Sequence, residues 1–326
     1  VTCSVRADWP DYRGPWHDGH ASAPGVTKPI GLPLKWSESE NVKWKTPIPH
    51  RGWSTPVILE GKIWLTSATE DGRDFFVIVA DEKSGRILFQ EKLFHSDNPE
   101  PLGNDVNGYA SPSVALERGR AYVHFGSYGT ACLDAKSFKT LWQRDDLKCR
   151  HFRGPGSSPV IFKDRLILTF DGINLQYLVG LDKKTGQTVW KTDRTADWGD
   201  LGKDGTPERG GDFRKGFTTP LIINAAGVTQ MISAGSKAAY SYDPLTGREL
   251  WKINTAGHSP AGRALFDGQR VLLTAGSGKS EFFAIRPDGR GDVTGTHIVW
   301  RTPRGVPKWV SPVLVDGLLY LLGEGG

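Results

Sequence analysis

Asp182-Lys183-Lys184-Thr185-Gly186-Gln187-Thr188-Val189-Trp190 decides the fold, because the chain says it more than once. The phrase is Asp, two residues, Ser or Thr, Gly, then an aromatic four residues on. It returns as Asp81-Glu82-Lys83-Ser84-Gly85 with Phe89, and as Asp243-Pro244-Leu245-Thr246-Gly247 with Trp251. A fourth copy, Asp134-Ala135-Lys136-Ser137-Phe138 with Trp142, lacks only the glycine. A second phrase precedes each Asp, its proline 22 to 25 residues upstream: Ser54-Thr55-Pro56-Val57, Ser111-Pro112-Ser113-Val114, Ser157-Ser158-Pro159-Val160 and Thr218-Thr219-Pro220-Leu221. Recurrence at about 40–60 residues marks a repeat architecture.

Each unit holds short apolar runs between turn residues. In the third copy these are Pro159-Val160-Ile161-Phe162, Arg165 to Phe170, Leu178-Val179-Gly180-Leu181 and Gln187-Thr188-Val189-Trp190. Hairpin-length connections between them predict four antiparallel strands. The Asp can bond the backbone two residues on, and the Gly supplies the positive φ that closes the turn. Phe138 in that place predicts a different turn or a strained one. The aromatic then buries a large area between neighbouring sheets. With 40 Gly and 21 Pro and no sustained 3.6-residue apolar spacing, helical repeats are disfavoured. The expectation is an all-β propeller of four-stranded antiparallel blades. Aromatic closers at Phe89, Trp142, Trp190, Trp251 and Trp300 count five full blades, and a partial sixth begins at Ser311-Pro312-Val313. Val42-Lys43-Trp44-Lys45 reads as an orphan last strand with its own closing Trp.

The chain has 326 residues, read as one repeat array over residues 36–326 behind an N-terminal segment, 1–35, that carries an export-signal remnant and an extended stretch. A net charge of +5, spread without a Lys/Arg block, argues against nucleic acid as a partner. No run approaches the ~18 apolar residues of a membrane span. Cys3 in a lipobox has no apolar segment before it. Cys132 and Cys149 are read either as a disulfide or as two free thiols. Scarce cysteine and 12 Trp fit an exported, periplasmic or cell-envelope protein.

In a propeller the loop leading into each innermost strand reaches the axis. The residues just upstream of each Ser/Thr-Pro phrase therefore form one candidate set, dominated by cations and aromatics: Arg51, Trp53, Asn107, Tyr109, His151, Arg153, Arg214, Lys215, His258, Lys308 and Trp309. Converging, they predict a positive, stacking-capable mouth for a small anionic or polyhydroxylated ligand or for a protein partner. The competing structural reading has them bond neighbouring blades and hold the ring in register. Two connections exceed turn length, residues 94–107 and 193–214. The acids of the second lack the spacing of a calcium loop, so it is read as solvated. His124, in an alternating strand, is read as a packing or inter-blade residue. Residues 286–292 are read as an enlarged hairpin, and residues 9–15 as lying over the ring surface. No zinc-protease motif, Cys-x-x-Cys or nucleophile elbow is present, and no catalytic residue is assigned.

The Asp-x-x-Thr-Gly-x-x-x-Trp phrase resembles that of the PQQ-binding-like β-propeller repeat proteins. An exported bacterial subgroup is resembled by Asp8-Trp9-Pro10-Asp11-Tyr12-Arg13-Gly14-Pro15, His124-Phe125-Gly126-Ser127-Tyr128-Gly129, Asp145-Asp146-Leu147-Lys148-Cys149, His151 to Pro159 and Arg286 to Asp292. The resemblance implies a ring of about eight blades, of which this chain would be a fragment. One branch of such proteins, the quinoprotein dehydrogenases, holds pyrroloquinoline quinone between a Trp and an adjacent Cys-Cys disulfide, over calcium. This chain has no adjacent Cys pair, and the calcium set is assigned to no residue. Another branch, the propeller lipoprotein of outer-membrane protein assembly, binds proteins and catalyses nothing. The leading expectation is an exported, non-catalytic propeller binding at its axial face. The alternative is a quinone-dependent alcohol or sugar dehydrogenase.

Overall fold

The computed structural model describes residues 8–23, 25–26, 31–103 and 105–323, so the signal remnant and Cys3 lie outside the described residues. Each repeat is a four-stranded antiparallel meander. The first comprises β1 (Val57–Leu59), β2 (Lys62–Ala68), β3 (Asp74–Asp81) and β4 (Ile87–His95). The second comprises β5 (Ala115–Glu117), β6 (Arg120–His124), β7 (Thr130–Asp134) and β8 (Thr140–Arg144). The third is β9 (Val160–Phe162), β10 (Arg165–Asp171), β11 (Gln176–Asp182) and β12 (Thr188–Asp193). The fourth is β13 (Leu221–Ala225), β14 (Val228–Ala234), β15 (Ala238–Tyr242) and β16 (Glu249–Asn254). The fifth contains β17 (Leu265–Phe266), β18 (Val271–Thr274) and β19 (Phe282–Ile285); after β20 (Gly291–Asp292) it is completed by β21 (Ile298–Thr302). A hairpin of β22 (Val313–Val315) and β23 (Leu318–Tyr320) follows. The enlarged 286–292 turn reaches back across the seam, where β20 pairs in parallel with β16 through Trp251 and Lys252.

The core lies in the seams between sheets. Central strands are buried on both faces, so their apolar runs are continuous, and successive side chains serve different neighbours. On β10, Leu166 and Leu168 pack with the second sheet, while Ile167 packs with the fourth. His124, also on a central strand, is buried, accepts or donates at Thr130 Oγ1 (2.8 Å) and meets Phe170 of the third sheet edge-on. Burial lowers its pKa to about 3, so it is a neutral inter-sheet packing residue.

The recurring turn does what its residues require. Asp182 Oδ1 accepts the Lys184 and Thr185 amides (both 2.9 Å), and Gly186 adopts φ 74°. That glycine is also where the preceding sheet's clasp sits: the Trp142 indole lies over it and donates from Nε1 to Lys183 O (3.1 Å). Trp190 covers Gly247 in the same way. Trp44 covers Gly85 and donates to Glu82 O (3.0 Å), so residues 42–45 occupy a matching seam on the first sheet without forming the orphan strand expected there. Where Phe138 replaces glycine the turn is kept, with Phe138 at φ 63° and Ser137 bonded to Asp134. The resulting strain is met by a stack on Phe89, at 4.9 Å and 20°. Opposite every closing aromatic the ladder between third and fourth strands slips, as at Cys132/Leu133, Gly180/Leu181 and Ser241/Tyr242. Such bulges bend the strand and re-aim the side chain, which turns each ring toward its neighbour.

Residues 8–20 do not lie over the ring surface. Trp9 pairs with Ile58 on the free edge of β1 (2.7 and 2.8 Å), and Pro10 O accepts the Leu116 amide of β5 (3.0 Å). Farther on, Arg13 donates to Pro312 O (2.8 Å) and His20 bonds Leu314 O (2.9 Å). The segment thus satisfies innermost-strand backbone groups that have no sheet partner on that side, and it ties the first two sheets to the last hairpin.

Candidate functional site

Two residues before each innermost strand stands one position of the repeat: Thr55, Ser113, Ser158, Thr219, Arg263 and Ser311. The hydroxyls bind the next unit back. The Thr55 amide donates to Ser113 Oγ (2.8 Å), that of Ser113 to Ser158 Oγ (3.0 Å), and that of Ser158 to Thr219 Oγ1 (2.9 Å). The Arg263 amide donates to Ser311 Oγ (3.0 Å). These are inter-sheet links that hold register, so that structural role falls to the Ser/Thr-Pro phrase itself.

Arg263 breaks the series with a fully buried guanidinium. It donates to Pro220 O (3.1 and 2.8 Å) and to Asp11 Oδ1 (2.9 Å), and it lies 5.4 Å from the Tyr12 ring centre. Burial would raise the Asp11 pKa, but Arg263, His17 and the Arg13 amide outweigh it and hold the carboxyl at about 2.

Thr55, Ser113, Ser158 and Thr219 line a cavity of about 560 Å³, with Tyr12 contributed by the N-terminal segment. The wall continues through Trp53, Asn107, Arg153, Asp212, Phe217, His258, Ser277 and Trp309. The long 193–214 connection delivers Asp212. It is pinned at its start by the buried Arg194–Asp171 pair (2.8 Å) and near its end by Arg214–Asp200 (2.7 Å). Asp200 and Asp212 are therefore anchors, a correction to the reading of this loop as solvated, though Asp197, Asp204 and Glu208 are exposed. Arg153 grips Asp212 through Nε and Nη2 (both 2.8 Å). This bond holds the Asp212 carboxyl below its ordinary pKa and raises that of Arg153. Asn107 Nδ2 donates to Arg153 O and Pro155 O (2.8 and 2.9 Å), fixing the backbone beneath the guanidinium.

Of the eleven residues expected from the sequence, Trp53, Asn107, Arg153, His258 and Trp309 meet at this cavity. Arg51 and Tyr109 line a side pocket of about 30 Å³ that shares Trp53 and Asn107. Lys308 lies 5.7 Å from the Trp309 ring centre. Arg214 faces Asp200. His151 and Lys215 are buried away from the cavity, with Lys215 Nζ 3.1 Å from His151 Nδ1 and Cys149 Sγ 3.4 Å from His151 Nε2. Burial, then Lys215, holds His151 well below its usual pKa, and burial lowers Lys215 to about 8. The mouth is thus less positive than its sequence suggests, because Arg51, Arg153 and Arg214 are paired with carboxylates and Lys215 is withdrawn from it. Tyr12, Asp212 and the hydroxyl belt are the residues that reasoning from loop position missed. The belt's signal was present in the repeated Ser/Thr itself.

Cys132 and Cys149 are separate buried thiols, beside Arg120 and His151 respectively. Burial raises their pKa values to about 11 and about 12. Both are expected to resist iodoacetamide at pH 8 in the native protein and to react after unfolding. Peptide mapping by mass spectrometry checks this; native labelling of Cys149 would contradict it.

The lining does not fit a calcium-held quinone. Its carboxylate, Asp212, is committed to Arg153, no two cysteines adjoin, and the described residues hold no cluster of three His, Cys, Asp or Glu side chains. No helix among the described residues is long and apolar enough to cross a membrane.

Comparison with known proteins follows the architecture. A family model described as outer membrane protein assembly factor BamB matches residues 77–200. Uncharacterized protein RP232 of Rickettsia prowazekii is 24% identical over 272 residues, covering 80% of this chain and 59% of that protein. The quinohemoprotein alcohol dehydrogenase of Comamonas testosteroni superimposes with a TM-score of 0.52 at 16% identity, over 74% of this chain and 42% of that one. A europium-containing methanol dehydrogenase gives 0.53 at 12% identity, over 76% and 50%. The chain thus spans less than two thirds of the relative it matches and half or less of each dehydrogenase. Repeat phrase, clasped seams, the family match over residues 77–200 and structural likeness agree on a fold of PQQ-like β-propeller repeats.

Proposed function

We propose that this propeller is a non-catalytic binding protein that takes a small ligand into its axial cavity. The observation that carries the reading is the lining itself. Half-exposed indoles of Trp53 (56%) and Trp309 (45%) stand beside polar groups already fixed by protein partners. Large aromatic area with a few oriented polar groups is the composition of a ligand site. The hydroxyl–imidazole contact on the described lining is Ser259 Oγ with its neighbour His258 Nδ1 at 3.3 Å, longer than the ~2.6–3.2 Å of an activated nucleophile and its base. The description of the matched family model, an outer-membrane assembly factor, supports an exported, envelope-located protein. We take residues 36–326 as the propeller, to which the strap of residues 8–20 adds an axial piece.

Trp53→Ala and Trp309→Ala test the reading cleanly, since both side chains are too exposed to support the fold. Thermal-shift titration of the intact chain against neutral oligosaccharides, short peptides and aromatic acids is expected to find a stabilising compound. Its affinity should fall about tenfold in either variant, the factor that corresponds to ~1.4 kcal/mol of lost contact. Equal affinity in both variants would remove the cavity as the site. Dye reduction on adding pyrroloquinoline quinone with calcium would instead establish a dehydrogenase.

A further inference from the structure

We propose that the ligand is a neutral carbohydrate, a pyranose ring or short oligosaccharide, stacked on Trp53 or Trp309 and hydrogen-bonded to the Arg153–Asp212 pair. This inference rests on the cavity reading above and narrows it to one chemical class.

Three features of the wall converge on it. Charge comes first. Among the described lining residues the permanently charged ones are Arg153 and Asp212, and they neutralise each other in a two-point bond. His258, against Phe213, has its pKa lowered by burial and then by Lys237, which keeps it uncharged at neutral pH. An anionic ligand would meet no uncommitted cation in this wall, and an anion placed on Arg153 would compete with Asp212. A neutral ligand meets no such penalty.

The second feature is the kind of hydrogen bonding left over. Asp212 uses Nε and Nη2 of Arg153, which leaves Nη1 as a donor, and each Asp212 oxygen keeps acceptor capacity. A fixed, planar donor beside fixed acceptors matches vicinal hydroxyls, each of which both gives and accepts. Ser277, farther along the wall, has a buried Oγ with no hydrogen-bond partner among the described residues. Buried hydroxyls are normally satisfied, and a turn of this side chain into the cavity would let a ligand hydroxyl satisfy it.

The third is the apolar surface. A sugar ring presents a face of C–H groups as well as an edge of hydroxyls, so it needs flat apolar area next to polar groups. Indole provides that with little conformational entropy to lose. The Trp53 ring abuts Gly108, where a Cβ would come 2.5 Å from Cδ1, and its amide is bonded to Ala110 O (2.9 Å). A volume of about 560 Å³ accommodates more than one ring and lies within the ~300–1,000 Å³ of small-ligand sites.

The test is calorimetric titration of the intact chain with cellobiose, maltose, chitobiose and galactobiose, with pyrroloquinoline quinone and an acidic tetrapeptide as anionic probes. Saturable binding of a neutral disaccharide is expected. It should weaken about tenfold in Trp53→Ala or Trp309→Ala and change less than about twofold between 0.05 and 0.5 M NaCl, as screening requires of an uncharged ligand. Three results would overturn it. If an anionic probe binds with Trp309 dependence and the sugars do not, the carbohydrate assignment fails while the cavity reading stands. If a sugar binds equally well to both variants, it binds elsewhere and both readings fail. If no sugar binds and circular dichroism shows the fold intact, the assignment fails.

Discussion

Asp11→Ala is expected to destabilise the protein by about 3–5 kcal/mol, although Asp11 belongs to no sheet. The Arg263 guanidinium is 1% exposed, and Asp11 is its carboxylate partner at 2.9 Å. Removing the acid leaves a buried cation whose remaining acceptor is Pro220 O. That is far costlier than losing a surface pair. Removing both charges is different. Arg263→Met combined with Asp11→Leu should recover most of the loss, because an apolar pair pays no desolvation penalty. Urea unfolding of the three proteins at pH 7 checks the order.

The same pair sets an acid dependence. The folded-state pKa of Asp11, about 2, lies below its unreacted value of 3.8. Its stabilisation is therefore fully present above about pH 4 and is lost as pH falls through about 2. The gap between wild type and Asp11→Ala should narrow over that window. A gap unchanged at pH 2 would show that Asp11 acts through something other than its charge.

Trp251→Ala should cost about 3–5 kcal/mol. The indole is fully buried between the fourth and fifth sheets, and its Nε1 donates to Gln230 Oε1 (2.9 Å) and Pro287 O (3.2 Å). Deletion opens a void in that seam and removes a donor from a network that also includes the Ser241 hydroxyl (2.7 Å). Trp300 occupies the same place in the fifth sheet but is 38% exposed, so Trp300→Ala should cost less than half as much. Amide exchange supplies the local readout: Trp251→Ala should lower protection in β15, β16, β18 and β19 ahead of the first sheet. Uniform loss across the molecule, or equal costs for the two tryptophans, would contradict seam-by-seam stabilisation.

The sheets and their order were legible in one dimension because their chemistry is local. An Asp that bonds amides two and three residues on, a glycine at positive φ and an aromatic four residues later all act within one turn. Repetition then multiplied a weak signal. Even the exception was readable: Phe138 announced strain at φ 63°. What stayed hidden were its compensation by Phe89 and the ladder slips that aim each closing ring at its neighbour, since both depend on strands paired across the turn. The candidate site divided along the same line. Loop position before each Ser/Thr-Pro phrase brought Trp53, Asn107, Arg153, His258 and Trp309 to the cavity. It could not tell which cations would be spent. Arg153 meets Asp212 59 residues away, and Arg263 meets Asp11 at a separation of 252. Such partners are chosen by how the sheets pack around the axis, where desolvation favours pairing a buried charge with an opposite one, and no local rule in the chain encodes that choice.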